Sequence, residues 1–96
     1  MTAATQPDAH HPPAPRRSPG LDAHDVADGI VVYSAADDTV HHLNALAAAV
    51  FELSDGRPRE LVAAELADVF GLSPERAEAA VDTAWHDLAD RHLLTA

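Results

Sequence analysis

The chain has 96 residues and no cysteine, so it can form one small domain and holds neither a disulfide framework nor a thiolate metal site. Sixteen acidic residues against six basic ones give a formal net charge of −10, a negative field that disfavours contact with a nucleic-acid backbone. No apolar run approaches the length of a membrane span. We therefore expect a cytoplasmic protein with no nucleic-acid or membrane partner.

The first twenty residues differ in composition from the rest. They hold five of the seven prolines and show no apolar periodicity, which is typical of a disordered segment. His10 and His11 lie here, but a tandem pair in such a segment lacks the further fixed ligands of a metal site. We predict a disordered arm over residues 1–20 and a folded domain over residues 21–96, which holds fifteen acidic residues and four arginines.

The first part of the domain has strand patterns. Leu21–Ala27 is ambiguous and could form a short edge strand, whereas the β-branched and aromatic run Ile30–Tyr33 predicts a strand. A polar connector over residues 35–38 leads to Thr39–Leu43, which we expect to return antiparallel. The pattern predicts a small meander whose last strand has an unpaired outer edge.

Alternation along the last predicted strand separates its two histidines. Thr39, His41 and Leu43 should share one face of the sheet, and Val40 and His42 the other. Adjacent histidines on a strand point apart, so they are not expected to bind one zinc ion together.

Three helices follow. Asn44 is a good N-cap for an apolar helix over Ala45–Leu53, which we place at the centre of the domain because more than half its circumference is apolar. A second helix starts at Pro58, has Val62, Leu66 and Phe70 at i, i+4 and i+8, and stops at Gly71.

The third helix begins at Ser73-Pro74 and should run to about Arg91. Its predicted apolar stripe is formed by Val81, Trp85 and Leu88. A second face carries charged residues at i, i+4 spacing, which is typical of solvated surface: Glu78, Asp82, His86 and Asp90.

The sequence shows no reaction chemistry. It has no glycine-rich phosphate loop, no cysteine nucleophile and no serine in an elbow motif. A metal bound by Asp82, His86 and Asp90 would lack a ligand from elsewhere in the chain. We therefore expect no enzyme activity, no cofactor and no metal.

The order of three strands and three helices predicts an α+β, winged-helix-like fold (βββααα). Three segments within this order resemble the PqqD family. They are Asp28–Tyr33, the segment Val40–Gly56 with its Leu-Asn junction and Asp-Gly end, and the closing Leu93-Leu94. The resemblance covers about Leu21 to the C-terminus. His92 stands where that family often has glycine, and Trp85 is bulkier than its usual aliphatic residue.

This resemblance implies a non-catalytic chaperone in the biosynthesis of ribosomally made, modified peptides. Such a protein binds the leader of a precursor peptide and presents its core to a modifying enzyme, commonly a radical-SAM protein or, in lasso-peptide systems, a leader protease. The leader pairs with the third strand of the sheet and lies in the groove between that strand and the third helix. Mapped on this sequence, the peptide-binding residues are expected to be Asp38, Thr39, Val40, His41, His42, Leu43, Val81, Asp82, Trp85, His86 and Ala89.

Other interpretations remain open at this point. Trp85 fits core packing as well as groove lining, and Asp82 is more simply explained as surface charge. A winged-helix DNA-binding or regulatory domain is compatible with the element order, but Arg76 and Arg91 are the only cations on a strongly acidic third helix. An accessory subunit of another complex is the third class, and an exposed edge strand could also pair with a second copy to form a homodimer.

Overall fold

A computed structural model describes residues 14–95 of the chain. The elements in chain order are β1 (Arg16–Arg17), β2 (Leu21–Val26), β3 (Gly29–Ser34), β4 (Thr39–Asn44), α1 (Ala45–Leu53), α2 (Arg59–Phe70), α3 (Pro74–Asp90) and β5 (Leu94–Thr95). The predicted order of three strands and then three helices is confirmed by β2 to α3. None of the helices in this part of the chain has the length and apolar sequence needed to cross a bilayer.

The main sheet is antiparallel, with the strand order β2-β3-β4. Ile30 pairs with Leu43, and Val32 pairs with His41. Because side chains alternate along a strand, this register turns Ile30, Val32 and Leu43 inwards, and all three are buried. Gly29 is required beside them, since a Cβ there would lie 1.8 Å from the Leu43 carbonyl oxygen.

The helix boundaries follow the predicted signals. The Asn44 side chain caps α1, the Ser73 side chain caps α3, and Gly71 ends α2 with a left-handed φ of 66°. Pro58 precedes α2 without a side-chain cap. One residue departs from its predicted stripe, because Phe70 is 38% exposed. At 3.6 residues per turn, a residue eight positions further along a helix is rotated by about 80°, so Phe70 turns away from the core-facing side that holds Val62.

The last helix ends in a Schellman-type turn. The Leu93 amide donates to the Leu88 carbonyl (2.9 Å), and the His92 amide donates to the Ala89 carbonyl (3.0 Å). His92 holds the left-handed position of this turn, with a φ of 61°. Glycine has no steric cost in that conformation, whereas histidine does.

A second, two-stranded sheet corrects the predicted domain boundary. β1 pairs antiparallel with β5. The Arg17 amide donates to the Ser54 carbonyl (3.0 Å), and the Ser18 amide donates to the Leu93 carbonyl (3.0 Å). Residues 14–20 therefore belong to the folded domain instead of a disordered arm, because they satisfy carbonyl groups at the ends of α1 and α3. The rest of the predicted arm, residues 1–13, lies outside the described residues.

The core forms where α1 meets the sheet and the other two helices. α1 contacts β3, β4, α2 and α3, which confirms its predicted central place. The largest fully buried apolar side chains come from every main element except β2: Val32, Leu43, Val50, Val62, Leu66, Val81, Leu88 and, just after α3, Leu93.

Candidate functional site

The outer edge of β4 is the first part of the candidate site. β4 pairs with β3 on one side only, and within residues 14–95 no strand pairs with its other side. The backbone groups that point to an unpaired edge remain available to another extended chain. This confirms the predicted strand order and leaves the edge open over the described part of the molecule.

The hairpin turn before β4 is fixed by its own side chains. Asp38 has a left-handed φ of 53°, which aspartate tolerates better than most residues. Its carboxylate accepts a hydrogen bond from the Tyr33 hydroxyl (3.1 Å). Asp38 therefore shapes the turn, and the strand that could pair with a partner starts at Thr39.

The side chains of β4 alternate as expected. Leu43 is buried and His41 is half-buried on the core face, where the His41 ring lies 3.1 Å from the Thr39 hydroxyl. Val40 is 66% exposed on the opposite face. His42, also on that face, lies 3.0 Å from Asp28, and the hydrogen bond between them lowers the pKa of the Asp28 carboxyl group. The two histidines thus have different neighbours.

A groove begins where β4 ends. It has a volume of about 630 Å³ and separates the start of α1 from one face of α3. Asn44 is one of the residues that line it, and its side chain accepts a hydrogen bond from the Ala47 amide (2.9 Å). Small and apolar side chains form most of the walls, with one charged residue towards each end of the helical wall: Asn44, Leu46 and Ala47 on one side, and Arg76, Ala79, Ala80, Thr83, Ala84 and Asp87 on the other.

The face of α3 that lines this groove is not the predicted one. Val81 is fully buried in the core of the domain. At about 100° per residue, Trp85 is rotated from Thr83 by about 200° and Ala89 by about 240°, so both lie on the far side of the helix. Asp82 is rotated from Thr83 by about 100° in the direction away from Ala84. His86 is exposed and lies 3.5 Å from Asp90, one turn further along the helix. None of the five predicted α3 residues lines the groove.

Trp85 joins α3 to the end of α1. Its indole Nε1 donates to the Ser54 hydroxyl (2.9 Å), and this hydroxyl donates to the Val50 carbonyl (2.6 Å). Ser54 is fully buried. The two hydrogen bonds satisfy a buried polar group, so Trp85 has a structural role at this position.

Asp82 joins α3 to α2. The Arg59 guanidinium binds its carboxylate with two hydrogen bonds, of 2.6 and 2.8 Å. This contact lowers the pKa of Asp82 and raises that of Arg59. Both side chains are exposed enough for solvent screening, so the pair contributes orientation more than stability.

The residues that line the groove were missed because they are small. Alanine carries little weight in a search for amphipathic stripes, whereas tryptophan and charged residues stand out. One signal was available: Ala79, Ala80, Thr83 and Ala84 follow i, i+4 spacing on a single helical face. A face of small residues is what a helix needs if another chain is to approach it closely.

Within residues 14–95, no three histidine or acidic side chains come together as the ligands of one metal ion would. The His10-His11 pair considered above lies outside the described residues.

The family model described as Coenzyme PQQ synthesis protein D (PqqD) matches residues 29–94. The chain belongs to the PqqD family. The match covers β3, β4, the three helices and the start of β5, and so includes both walls of the groove. A search of the curated proteins returned no match.

Three solved structures share the PqqD-like fold. A structure of TbiB1 in complex with the TbiA(beta) leader peptide has 18% identity and a TM-score of 0.72, and the alignment covers 82% of this chain and 93% of that one. A lasso peptide synthetase B1 complexed with the leader peptide has 20% identity and a TM-score of 0.73, over 86% of this chain and 99% of that one.

The third structure is the solution structure of the PqqD truncation of Methylobacterium extorquens PqqCD, a stand-alone recognition element for ribosomally synthesized and post-translationally modified peptides. It has 24% identity and a TM-score of 0.69, over 85% of this chain and 88% of that one. At these identities the three likenesses show a shared fold.

Proposed function

We propose that this PqqD-family chain binds the leader of a ribosomally made precursor peptide and presents the peptide to a modifying enzyme. The observation that carries the proposal is the open edge of β4, which leads at Asn44 into an apolar groove. Two structures with the same fold are complexes with leader peptides. Family, fold and free edge thus favour the same function.

The binding mode we propose is β-augmentation. An extended leader adds a fourth strand to β2-β3-β4, and its amides and carbonyls pair with those on the outer edge of β4. This backbone edge is provided by five residues of β4, and Asp38 fixes the turn before it: Thr39, Val40, His41, His42 and Leu43.

The groove supplies the specificity in this mode. Alternate side chains of an added strand point to the same face, and those that face the domain would meet the small side chains of α3. Ala79, Ala80, Thr83 and Ala84 leave room for bulky apolar residues of the leader. The α3 side of the proposed site therefore consists of these residues in place of Val81, Asp82, Trp85, His86 and Ala89.

The chain supplies binding and the chemistry belongs to its partner. We propose a cytoplasmic modifying enzyme, either a radical-SAM protein or a leader protease, because the sequence contains no motif for catalysis of its own. The acidic surface supports a peptide partner over nucleic acid, since a phosphate backbone would be repelled by it.

Charge should also influence how fast the leader binds. With a net charge of −10, the chain attracts peptides that carry Lys or Arg around their apolar anchors. We expect such attraction to weaken binding as salt concentration rises. An affinity that does not change with salt would mean that backbone pairing and apolar contacts supply all of the binding.

The test is isothermal titration with the synthetic leader of a short precursor encoded beside the gene for this chain. Single N-methyl groups are then placed along the leader backbone, one residue at a time. Since alternate residues of an antiparallel strand donate to the same neighbour, methylation should abolish binding at every second position of the paired segment. The intervening positions are the matched controls, and a proline at the centre of the segment should also prevent pairing.

Two results would reject the proposal. One is the absence of binding to any precursor leader, and the other is binding that is insensitive to N-methylation throughout the peptide.

Pairing of the β4 edge with a second copy would appear as a dimer in sedimentation experiments. We expect the leader to dissociate such a dimer because the leader and the second copy compete for the same edge.

A further inference from the structure

Arg76 is the exception in the ion pairing of this domain. Arg57 binds Asp55 at 2.9 Å, Arg59 binds Asp82 at 2.6 Å, and the Arg91 guanidinium lies 3.3 Å from Asp87. Arg16 and Arg17 donate to backbone carbonyls at the end of α1. Among residues 14–95, no carboxylate lies within ion-pairing distance of Arg76.

The sequence of α3 explains why Arg76 has no partner on its own helix. Ion pairs along a helix form between residues three or four apart. The positions three and four residues before and after Arg76 hold Leu72, Ser73, Ala79 and Ala80. None of them is acidic, although the chain has sixteen acidic residues.

The position of Arg76 makes this unpaired charge significant. Its side chain lines the same groove as the small residues of α3, and it lies in the first turn of the helix, where the helix dipole adds further positive potential. A peptide lying in the groove would remove water from one side of the guanidinium. Covering a charge costs free energy unless a group of opposite charge replaces the lost solvent.

The other charged residue of the groove is already neutralised. Asp87 faces Arg91 at 3.3 Å. It is eleven residues from Arg76 along α3, which corresponds to about 16 Å at 1.5 Å per residue. An extended peptide covers that distance with about five residues at roughly 3.3 Å each.

We propose that Arg76 is a specificity-determining residue that binds an aspartate or glutamate side chain of the leader peptide. The acidic residue should lie within about five residues of the bulky apolar side chains that fill the groove between Arg76 and Asp87. This inference rests on the proposed function, and it adds to that function a local preference that the net charge of the domain does not indicate. Basic residues elsewhere in the leader would increase the rate of association with the acidic domain. Arg76 would bind one acidic residue of the leader once the leader has docked.

The experiment uses a random dodecapeptide library in mRNA display as its probe. The library is selected against the full chain, against Arg76→Glu, and against Arg57→Glu as the control. The control changes the net charge by the same amount, but Arg57 pairs with Asp55 in the loop between α1 and α2 and does not line the groove. Circular dichroism of both variants verifies that they are folded.

We expect peptides selected by the original chain and by Arg57→Glu to be enriched in Asp or Glu at one position relative to an apolar residue. Selection by Arg76→Glu should lose that preference and favour Lys or Arg there. For one selected peptide, replacing its acidic residue by the matching amide should weaken binding to the original chain about tenfold. The same replacement should have no effect on binding to Arg76→Gln, and a lysine at that position should restore binding to Arg76→Glu.

Two outcomes would overturn the inference, and they are distinguishable. If selected peptides pair with β4 by the N-methyl test but show no acidic preference, or if Arg76→Glu selects the same peptides, Arg76 is not a specificity determinant and the proposed function stands. If the original chain selects no peptide and also binds no precursor leader in the titration, the proposed function fails and the inference fails with it.

Discussion

Replacing Trp85 by phenylalanine separates a structural role for this side chain from a role in peptide binding. The substitution removes the indole donor to the Ser54 hydroxyl, whose proton is already donated to the Val50 carbonyl. Ser54 is fully buried, so its hydroxyl oxygen would lose the N–H donor from which it accepts, and water cannot easily replace that donor. The lost hydrogen bond is worth about 1 kcal/mol, and the smaller ring also packs less well, so we expect a total loss of about 1–2 kcal/mol.

Urea unfolding followed by far-UV circular dichroism measures this loss, since the chain contains one tryptophan and the variant has none to report by fluorescence. For a domain of this size the urea dependence is about 1 kcal/mol per molar, so the midpoint should fall by about 1–2 M. Ser54→Ala is the matched change on the other side of the hydrogen bond. In a double-mutant cycle the two substitutions should couple by about 1 kcal/mol.

Peptide affinity is the second measurement on the same variant. Because Trp85 faces away from the groove, Trp85→Phe should bind a leader peptide within about twofold of the original chain under conditions where both are folded. A tenfold loss of affinity with an intact fold would refute this placement of Trp85. Strictly additive effects in the cycle would refute the energetic role of its hydrogen bond.

Three further substitutions test the fold. Gly29→Ala should abolish cooperative thermal unfolding, because a Cβ at this position would lie 1.8 Å from the Leu43 carbonyl oxygen; a transition close to that of the original chain would contradict the β3-β4 register. His92→Gly should raise the free energy of unfolding by about 1 kcal/mol by relieving a left-handed φ, and a less stable variant would speak against the turn geometry. The hydrogen bond from Arg57 lowers the pKa of Asp55 from 3.8 to about 2. A lowered folded-state pKa gives stability that is complete above about pH 4 and is lost as the pH falls towards 2, so Arg57→Gln should flatten the dependence of stability on pH within that window; an unchanged slope in urea unfolding would argue against the pair.

Local sequence signals were sufficient for the main architecture. The sequence predicts adjacent strands over Ile30–Tyr33 and Thr39–Leu43. The β-branched residues, the alternation of side chains between the two faces and the short connector all indicate the same hairpin. Helix starts at Asn44 and Ser73 followed from side chains that can accept the free amides of the first turn. These features act within a few residues, so the sequence alone contains them.

Contacts between distant segments were not predictable in the same way. β1 is two residues long, lies in a proline-rich region, and is held by carbonyls of Ser54 and Leu93. No pattern within residues 14–20 indicates those acceptors. The assignment of this segment to an arm failed because the hydrogen-bond partners of Arg17 and Ser18 are 37 and 75 residues away along the chain.

The candidate site was half predictable. The open edge of β4 followed from the order of the strands, but the α3 face of the groove did not. Trp85 and Asp82 were conspicuous in the sequence, and both turned out to bind other helices of the same molecule. The groove is instead lined by small residues whose role depends on what approaches them.

Amide hydrogen exchange along β4 tests the central claim most directly. The chain is labelled with nitrogen-15 and measured by NMR with and without a saturating amount of a peptide taken from the display selection. If the leader adds a strand to the sheet, the amides on the outer edge of β4 should become strongly protected, while amides on the outer edge of β2 keep their exchange rates. Saturation by the peptide with no change in exchange anywhere along Thr39–Asn44 would contradict the account.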